Sequence, residues 1–153
     1  MIHGIHHPAI STKDMGRALE FYCGVLGFDE VKRFGWPQGY TDADELTGLK
    51  DSAATCVMLK KGNSFLEVFE FTAPAPQQAK DARPVCDHGI THICLYISDM
   101  DHEYERLQAA GMTFHSEPKS DGNTRMAYGR DPDGNVVELL EVINKEDPAL
   151  QDV

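Results

Sequence analysis

"HHPAISTKDM" (6–15) and "THICLYISDM" (91–100) are two versions of one pattern. His7 falls on His92, Asp14 on Asp99 and Met15 on Met100, each at an offset of 85 residues. Both stretches read as a strand that runs into an acidic residue placed to cap a helix. After the first copy, Met15, Ala18, Leu19, Tyr22, Val25 and Leu26 recur at helical spacing until Gly27 closes the helix. After the second, "DMDHEYERLQAAG" (99–111) is a capped helix ending at Gly111. Further out, "FLEVFE" (65–70) matches "VVELLE" (136–141), so that Glu67 falls on Glu138 and Glu70 on Glu141.

An internal repeat is a statement about architecture before it is one about chemistry. Strand, helix and three strands occur once over about 4–71 and again over about 90–143. The segment 72–89, with three prolines, reads as the connector. The expected strands are 4–12, a short one in 29–34, 53–61, 63–71, 90–98, a short one in 112–117, 124–130 and 135–142. Lys61-Gly62-Asn63 is a hairpin signal and "DPDG" (131–134) a tight turn. Residues 34–52 have no strand period and read as a long loop with one helical turn at 44–49, able to act as a lid. Residues 144–153 read as a tail. The fold class is α+β, a single domain of two βαβββ modules.

Composition bounds the partners. The chain has 153 residues, 41% hydrophobic and 25% charged, as in a soluble globular protein. A net charge of -11 argues against nucleic acid and against an anionic membrane, both of which call for clustered Lys and Arg. No apolar run approaches the roughly 18–20 residues of a membrane span. The start has no basic and apolar leader pattern. Cys23, Cys56, Cys86 and Cys94 form no C-x-x-C pair and read as reduced thiols, so the expected compartment is the cytoplasm.

The glutamates raise the chemical question. On a strand over 64–71, Phe65, Glu67, Phe69 and Phe71 share one face, and Leu66, Val68 and Glu70 the other. A carboxylate in an apolar strand needs solvent or a partner. On strand 90–98, Ile93, Leu95 and Ile97 face the helices, leaving His92, Cys94, Tyr96 and Ser98 on the polar, concave side. One His and one Glu from each half then supply two imidazoles and two carboxylates. His7, Glu67, His92 and Glu138 are a suitable shell for zinc, nickel, cobalt or manganese, with iron behind them. Glu70 and Glu141, on the opposite faces, are expected to be solvated or salt-bridged. His88 and His92 are a decoy: on a strand, residues four apart lie about 13 Å apart and cannot chelate one ion. His6 and His7 would face opposite ways, and the repeat selects His7. Arg125 and Arg130 are either ordinary strand residues or anion contacts. Phe34, Trp36 and Tyr40 are either a folded-back loop core or a lid.

The stretches "HHPAISTKDMGRALEFYCGVLGF", "FLEVFEF", "GITHICLYISDMD" and "DPDGNVVELLE" together resemble the vicinal oxygen chelate superfamily over roughly 4–143. That superfamily includes glyoxalase I, methylmalonyl-CoA epimerase, fosfomycin-resistance enzymes and extradiol dioxygenases. The resemblance implies a cupped mixed sheet around one divalent metal per site, usually in a homodimer. A fourth ligand at the position of Glu67 resembles the glyoxalase and epimerase branches. It implies a lyase or isomerase that binds a small substrate through vicinal oxygens. Its enediolate would form as Glu67 or Glu138 removes a proton next to a carbonyl. An acyl-CoA epimerase, an Fe(II) extradiol dioxygenase and a non-catalytic drug- or ligand-binding resistance protein are the alternatives. Ser11 stands where bacterial-type glyoxalase I has an Arg that contacts glutathione. Whether one chain or two complete each site is open at this point.

Overall fold

The computed structural model describes residues 1–77 and 82–146. The chain divides into two compact units, Met1–Lys80 and Asp81–Val153.

The first unit is a four-stranded sheet in the order β1-β4-β3-β2, with β1 (Ala9–Ser11) parallel to β4 (Ser64–Ala73) and the other pairings antiparallel. β3 (Ala53–Lys61) and β4 form the expected hairpin, and Gly62 takes φ +56 at its turn, a left-handed conformation that suits glycine. α1 (Met15–Leu19) starts at Asp14, whose side chain accepts the Arg17 N–H, as the capping residue predicts. The expected single helix then changes pitch. Glu20–Val25 is a π-helical segment, and Leu26 N–H closes onto Phe21 O at 2.9 Å. The widened turn lets the neighbouring Phe21 and Tyr22 both enter the core, with Ala18, Val57, Leu59, Leu66 and Val68.

Two boundaries in this unit differ from the sequence reading. The first strand is 9–11 rather than 4–12, because Pro8 has no N–H for a ladder; its carbonyl still accepts the Glu67 N–H at 3.1 Å. The expected loop 34–52 is mostly regular: β2 (Asp29–Trp36) runs to Trp36 and α2 (Thr41–Thr47) follows. Asp44 accepts from the backbone N–H of Asp51 and of Ser52 at 2.7 Å each and from the Ser52 hydroxyl at 2.6 Å. These bonds, the Ser52 hydroxyl foremost, hold the Asp44 carboxyl below the usual carboxylate range. They fasten α2 to the start of β3, which a mobile lid would not require. β2 is the edge strand of its sheet, with a bulge between Glu30 and Lys32.

The second unit repeats the plan in the order β5-β9-β8-β6. β5 (Ile93–Ile97) is parallel to β9 (Val136–Val142), which is antiparallel to β8 (Thr124–Arg130). α3 (Met100–Ala109) packs on β8 and β9. In place of one short strand between helix and hairpin, the chain makes two two-residue strands, β6 (Thr113–Phe114) and β7 (Lys119–Ser120), both against β8. The "DPDG" turn is built on Asp131, whose carboxylate accepts the N–H groups of Asp133 and Asn135 at 2.9 and 2.8 Å. Of the expected tail, 147–153 lie outside the described residues.

The register shows how closely the halves agree. In the first unit Ala9, Ile10 and Ser11 pair with Glu67, Val68 and Phe69. In the second, Cys94, Leu95 and Tyr96 pair with Glu138, Leu139 and Leu140. Both sets keep the sequence offsets, so the two parallel ladders are copies in register.

Candidate functional site

Parallel pairing places the two carboxylates. Side chains directly across a parallel pair share a face, so Glu67 lies on the side of Ala9, and Glu138 on the side of Cys94. Two residues before each partner stands a histidine, His7 and His92. His7 Nε2 lies 2.9 Å from Glu67 Oε2, and His92 Nε2 lies 2.9 Å from Glu138 Oε2. The imidazoles keep 30% and 27% of their side-chain exposure and the carboxylates 13% and 11%. Each half therefore holds one partly buried carboxylate against one accessible imidazole, with the same atoms in contact.

The far nitrogen of each ring is also engaged. His7 Nδ1 is 2.8 Å from His6 Nδ1, and His92 Nδ1 is 2.8 Å from the Thr91 hydroxyl. His6 does not simply face away from His7, as an extended strand would require, because both precede β1. It stacks on Phe65 with ring centroids 4.9 Å apart. His92 packs edge-on against Tyr128 at 5.1 Å.

Thiols flank both carboxylates. Burial first, and then the Glu67 carboxylate, push the Cys56 thiol up to about 12. Desolvation first, and then Glu138, push Cys94 up to about 12 as well, although Cys94 as a whole residue is exposed. Desolvation and Glu138 also raise Tyr128. A thiol pKa raised in this way leaves little thiolate, the form that reacts, at neutral pH. Cys94 was legible from its shared face with His92. Cys56 and Tyr128 were not singled out, yet the hairpin registers mark them: Cys56 is diagonal to Glu67, and Tyr128 is directly opposite Glu138.

The other candidates serve the fold. Glu141 accepts the Asp99 N–H at 2.7 Å and lies 3.7 Å from Arg125, so it is salt-bridged as expected. Arg125 grips Asp101 with both Nη atoms, and that contact lowers the Asp101 pKa. Arg130 donates to His115 and to the Gly134 carbonyl. His88 lies outside β5 and offers its carbonyl to Arg83. The aromatic trio splits. Trp36 donates its indole N–H to Ser52 at 2.9 Å and packs edge-on against Phe69 and Phe71, while Phe34 and Tyr40 are exposed. Phe69 and Phe71 share the β4 face of Glu67.

Among the described residues no three His, Cys, Asp or Glu side chains are gathered as a metal-holding group. Each His–Glu pair nevertheless suits a divalent cation. Metal–ligand bonds of about 2.0–2.2 Å put adjacent N and O ligands roughly 2.9–3.3 Å apart, depending on the angle. The observed 2.9 Å lies at the near end of that range, so either pair could take an ion with little movement. It is equally the length of an ordinary hydrogen bond from Nε2–H to a carboxylate.

The sequence family described as the Glyoxalase/Bleomycin resistance protein/Dioxygenase superfamily matches residues 4–139. The chain is 24% identical to a probable lactoylglutathione lyase of Synechocystis sp., over 92% of this chain and 97% of that protein. It is 27% identical to a 2-epi-5-epi-valiolone epimerase of an Actinomyces species, over 90% of this chain and 79% of that protein. A glyoxalase family protein from Bacillus cereus has the same fold, with a TM-score of 0.82, 21% identity, and coverage of 93% of this chain and 95% of that one. Doubled parallel ladders, matched His–Glu pairs and a family match that takes in all four paired residues converge: this chain belongs to the Glyoxalase/Bleomycin resistance protein/Dioxygenase superfamily.

Proposed function

We propose that the protein is a divalent-metal-dependent lyase or isomerase that moves a proton next to a carbonyl, with His7, Glu67, His92 and Glu138 as ligands. The single observation that carries this reading is the duplicated Nε2–Oε2 contact of 2.9 Å. The same imidazole–carboxylate contact recurs in both units in the same register. A bound cation would supply positive charge against the oxyanion that develops as a C–H beside a carbonyl is deprotonated. His7 and His92 stay fixed and present Nε2. Glu67 or Glu138 takes the proton and returns it to the neighbouring carbon or the opposite face. The ligands come from one chain, or from two chains of a homodimer, and the substrate is a small molecule with vicinal oxygens. Ser11 offers no cation for a glutathione carboxylate, which favours a substrate outside glutathione chemistry. The relative named as an epimerase supports epimerisation as the second reading.

Elemental analysis of protein purified without chelator or histidine tag is the test. About one equivalent of zinc, nickel, cobalt or manganese per site supports the reading and directs assays to hemithioacetals and acyl-CoA epimers. Iron at that level favours the ring-opening dioxygenase. No metal after incubation with each ion leaves a ligand-binding protein. With metal restored in excess, Glu67→Gln is expected to lower turnover at least about 100-fold; full activity removes Glu67 from the proton-transfer role.

A further inference from the structure

Each imidazole of the two pairs is held at its far nitrogen by the residue immediately before it in sequence. Thr91 Oγ1 lies 2.8 Å from His92 Nδ1, and His6 Nδ1 lies 2.8 Å from His7 Nδ1. The two holders differ in chemistry but share one property. A hydroxyl can donate or accept, and an imidazole nitrogen does either according to tautomer. That property matters because the state of Nε2 reverses when a cation arrives. Facing a bare carboxylate, Nε2 carries the proton and donates, so Nδ1 accepts. Facing a cation, Nε2 offers its lone pair, so Nδ1 carries the proton and donates. A carboxylate or carbonyl at Nδ1 would suit only the second state. A lysine or a backbone N–H would suit only the first.

We infer that Thr91 and His6 are positioning residues that keep Nε2 of His92 and His7 aimed at Glu138 and Glu67 both before and after cation binding. They do so by reversing one hydrogen bond rather than losing it. This rests on the metal-dependent function proposed above. For Thr91 the reversal needs only rotation of a hydroxyl. For His6 it needs a proton shift to the far nitrogen, in a ring already fixed by stacking on Phe65. The cation-loaded arrangement gains more from the contact, since a cation polarises the imidazole and strengthens the Nδ1–H donor. Removing the holder therefore weakens binding rather than shifting both states equally.

Zinc is the probe, because it is diamagnetic. Long-range proton–nitrogen spectra of the wild-type protein, with the imidazoles neutral, are expected to place the His92 proton on Nε2 without metal and on Nδ1 with zinc. Thr91→Val keeps the side-chain shape and removes the hydroxyl. Competition with a chromophoric chelator should show zinc bound about 10–100-fold more weakly by this variant, and Thr91→Ser should restore wild-type affinity. A proton on Nδ1 of metal-free wild-type His92 overturns the inference alone, as does wild-type affinity in Thr91→Val. Wild-type protein that takes up no zinc, with the His92 proton on Nε2, overturns the reversal at zinc; failure to take up nickel, cobalt or manganese as well overturns the metal-dependent function with it.

Discussion

Gly35→Ala tests how the aromatic wall beside Glu67 is built. Gly35 sits on β2 opposite Thr55, and a Cβ there would lie 2.4 Å from the Ala54 carbonyl oxygen and 3.1 Å from Thr55 Cα. Both are backbone atoms of the neighbouring strand, so no rotamer change relieves the contact. Overpacking of this kind costs about 1–3 kcal/mol. The gain of about 0.4–1 kcal/mol that alanine brings by restricting the unfolded chain offsets only part. A net loss of about 1–2 kcal/mol corresponds to a melting temperature lower by about 2–8 °C in a chain of this size. β2 must also part from β3 next to Trp36, disturbing its bond to Ser52 and its packing on Phe69 and Phe71. Trp36 is the one tryptophan in the sequence, so fluorescence reports that displacement directly. The four proposed ligands lie off β2, and metal content should be unchanged. A variant that melts within about 1 °C of wild type, with unaltered tryptophan emission, would falsify the close-approach account.

Three further outcomes follow from the packing and charges. Leu139 is fully buried on β9, and Leu139→Ala should cost about 2–5 kcal/mol in urea denaturation; a smaller loss would mean that the site collapses around the gap. Asp101 has its pKa lowered by the Arg125 contact, so the stability it contributes is present above the unfolded carboxyl pKa and is lost as pH falls through the lower folded value. The stability difference between wild type and Arg125→Met should therefore vanish in acid, and a difference independent of pH would assign Arg125 a packing role instead. Cys94 is exposed yet its thiol is pushed up to about 12, so alkylation at pH 8 should be slow in metal-free protein and should accelerate in Glu138→Gln, but only in part, because desolvation remains. An unchanged rate in that variant would place the carboxylate's influence elsewhere.

Much of the architecture was legible because repetition survives where propensity is weak. His7 with His92 and Glu67 with Glu138 were paired by sequence offset alone, and the ladders later reproduced those offsets. The β3–β4 hairpin and β8 were legible from alternation and turn residues. Local detail was less so. α2 has no side-chain cap at Tyr40, so nothing announces its start. The π-helical turn depends on what Phe21 and Tyr22 must reach, which is a tertiary demand. β6 and β7 are too short to carry a period. Around the pairs, Thr91, His6, Cys56 and Tyr128 acquire meaning only through register and ring orientation, because each is an unremarkable residue type on its own.

The Glu141–Asp99 bond has a dynamic consequence. Glu138 and Glu141 lie on opposite faces of β9, so the strand that presents one carboxylate to His92 is tied through the other to the start of α3. Arg125 adds a tie from β8 to Asp101 on the same helix. Fraying of α3 must then break contacts to two strands at once, and small excursions of Glu138 are opposed from behind. The Asp99 amide, exposed and at a helix start, would ordinarily exchange its hydrogen quickly. Here its exchange should be slow and should follow the opening of β9. One backbone amide thus becomes a remote clock for the rigidity of the carboxylate on the other side of the sheet.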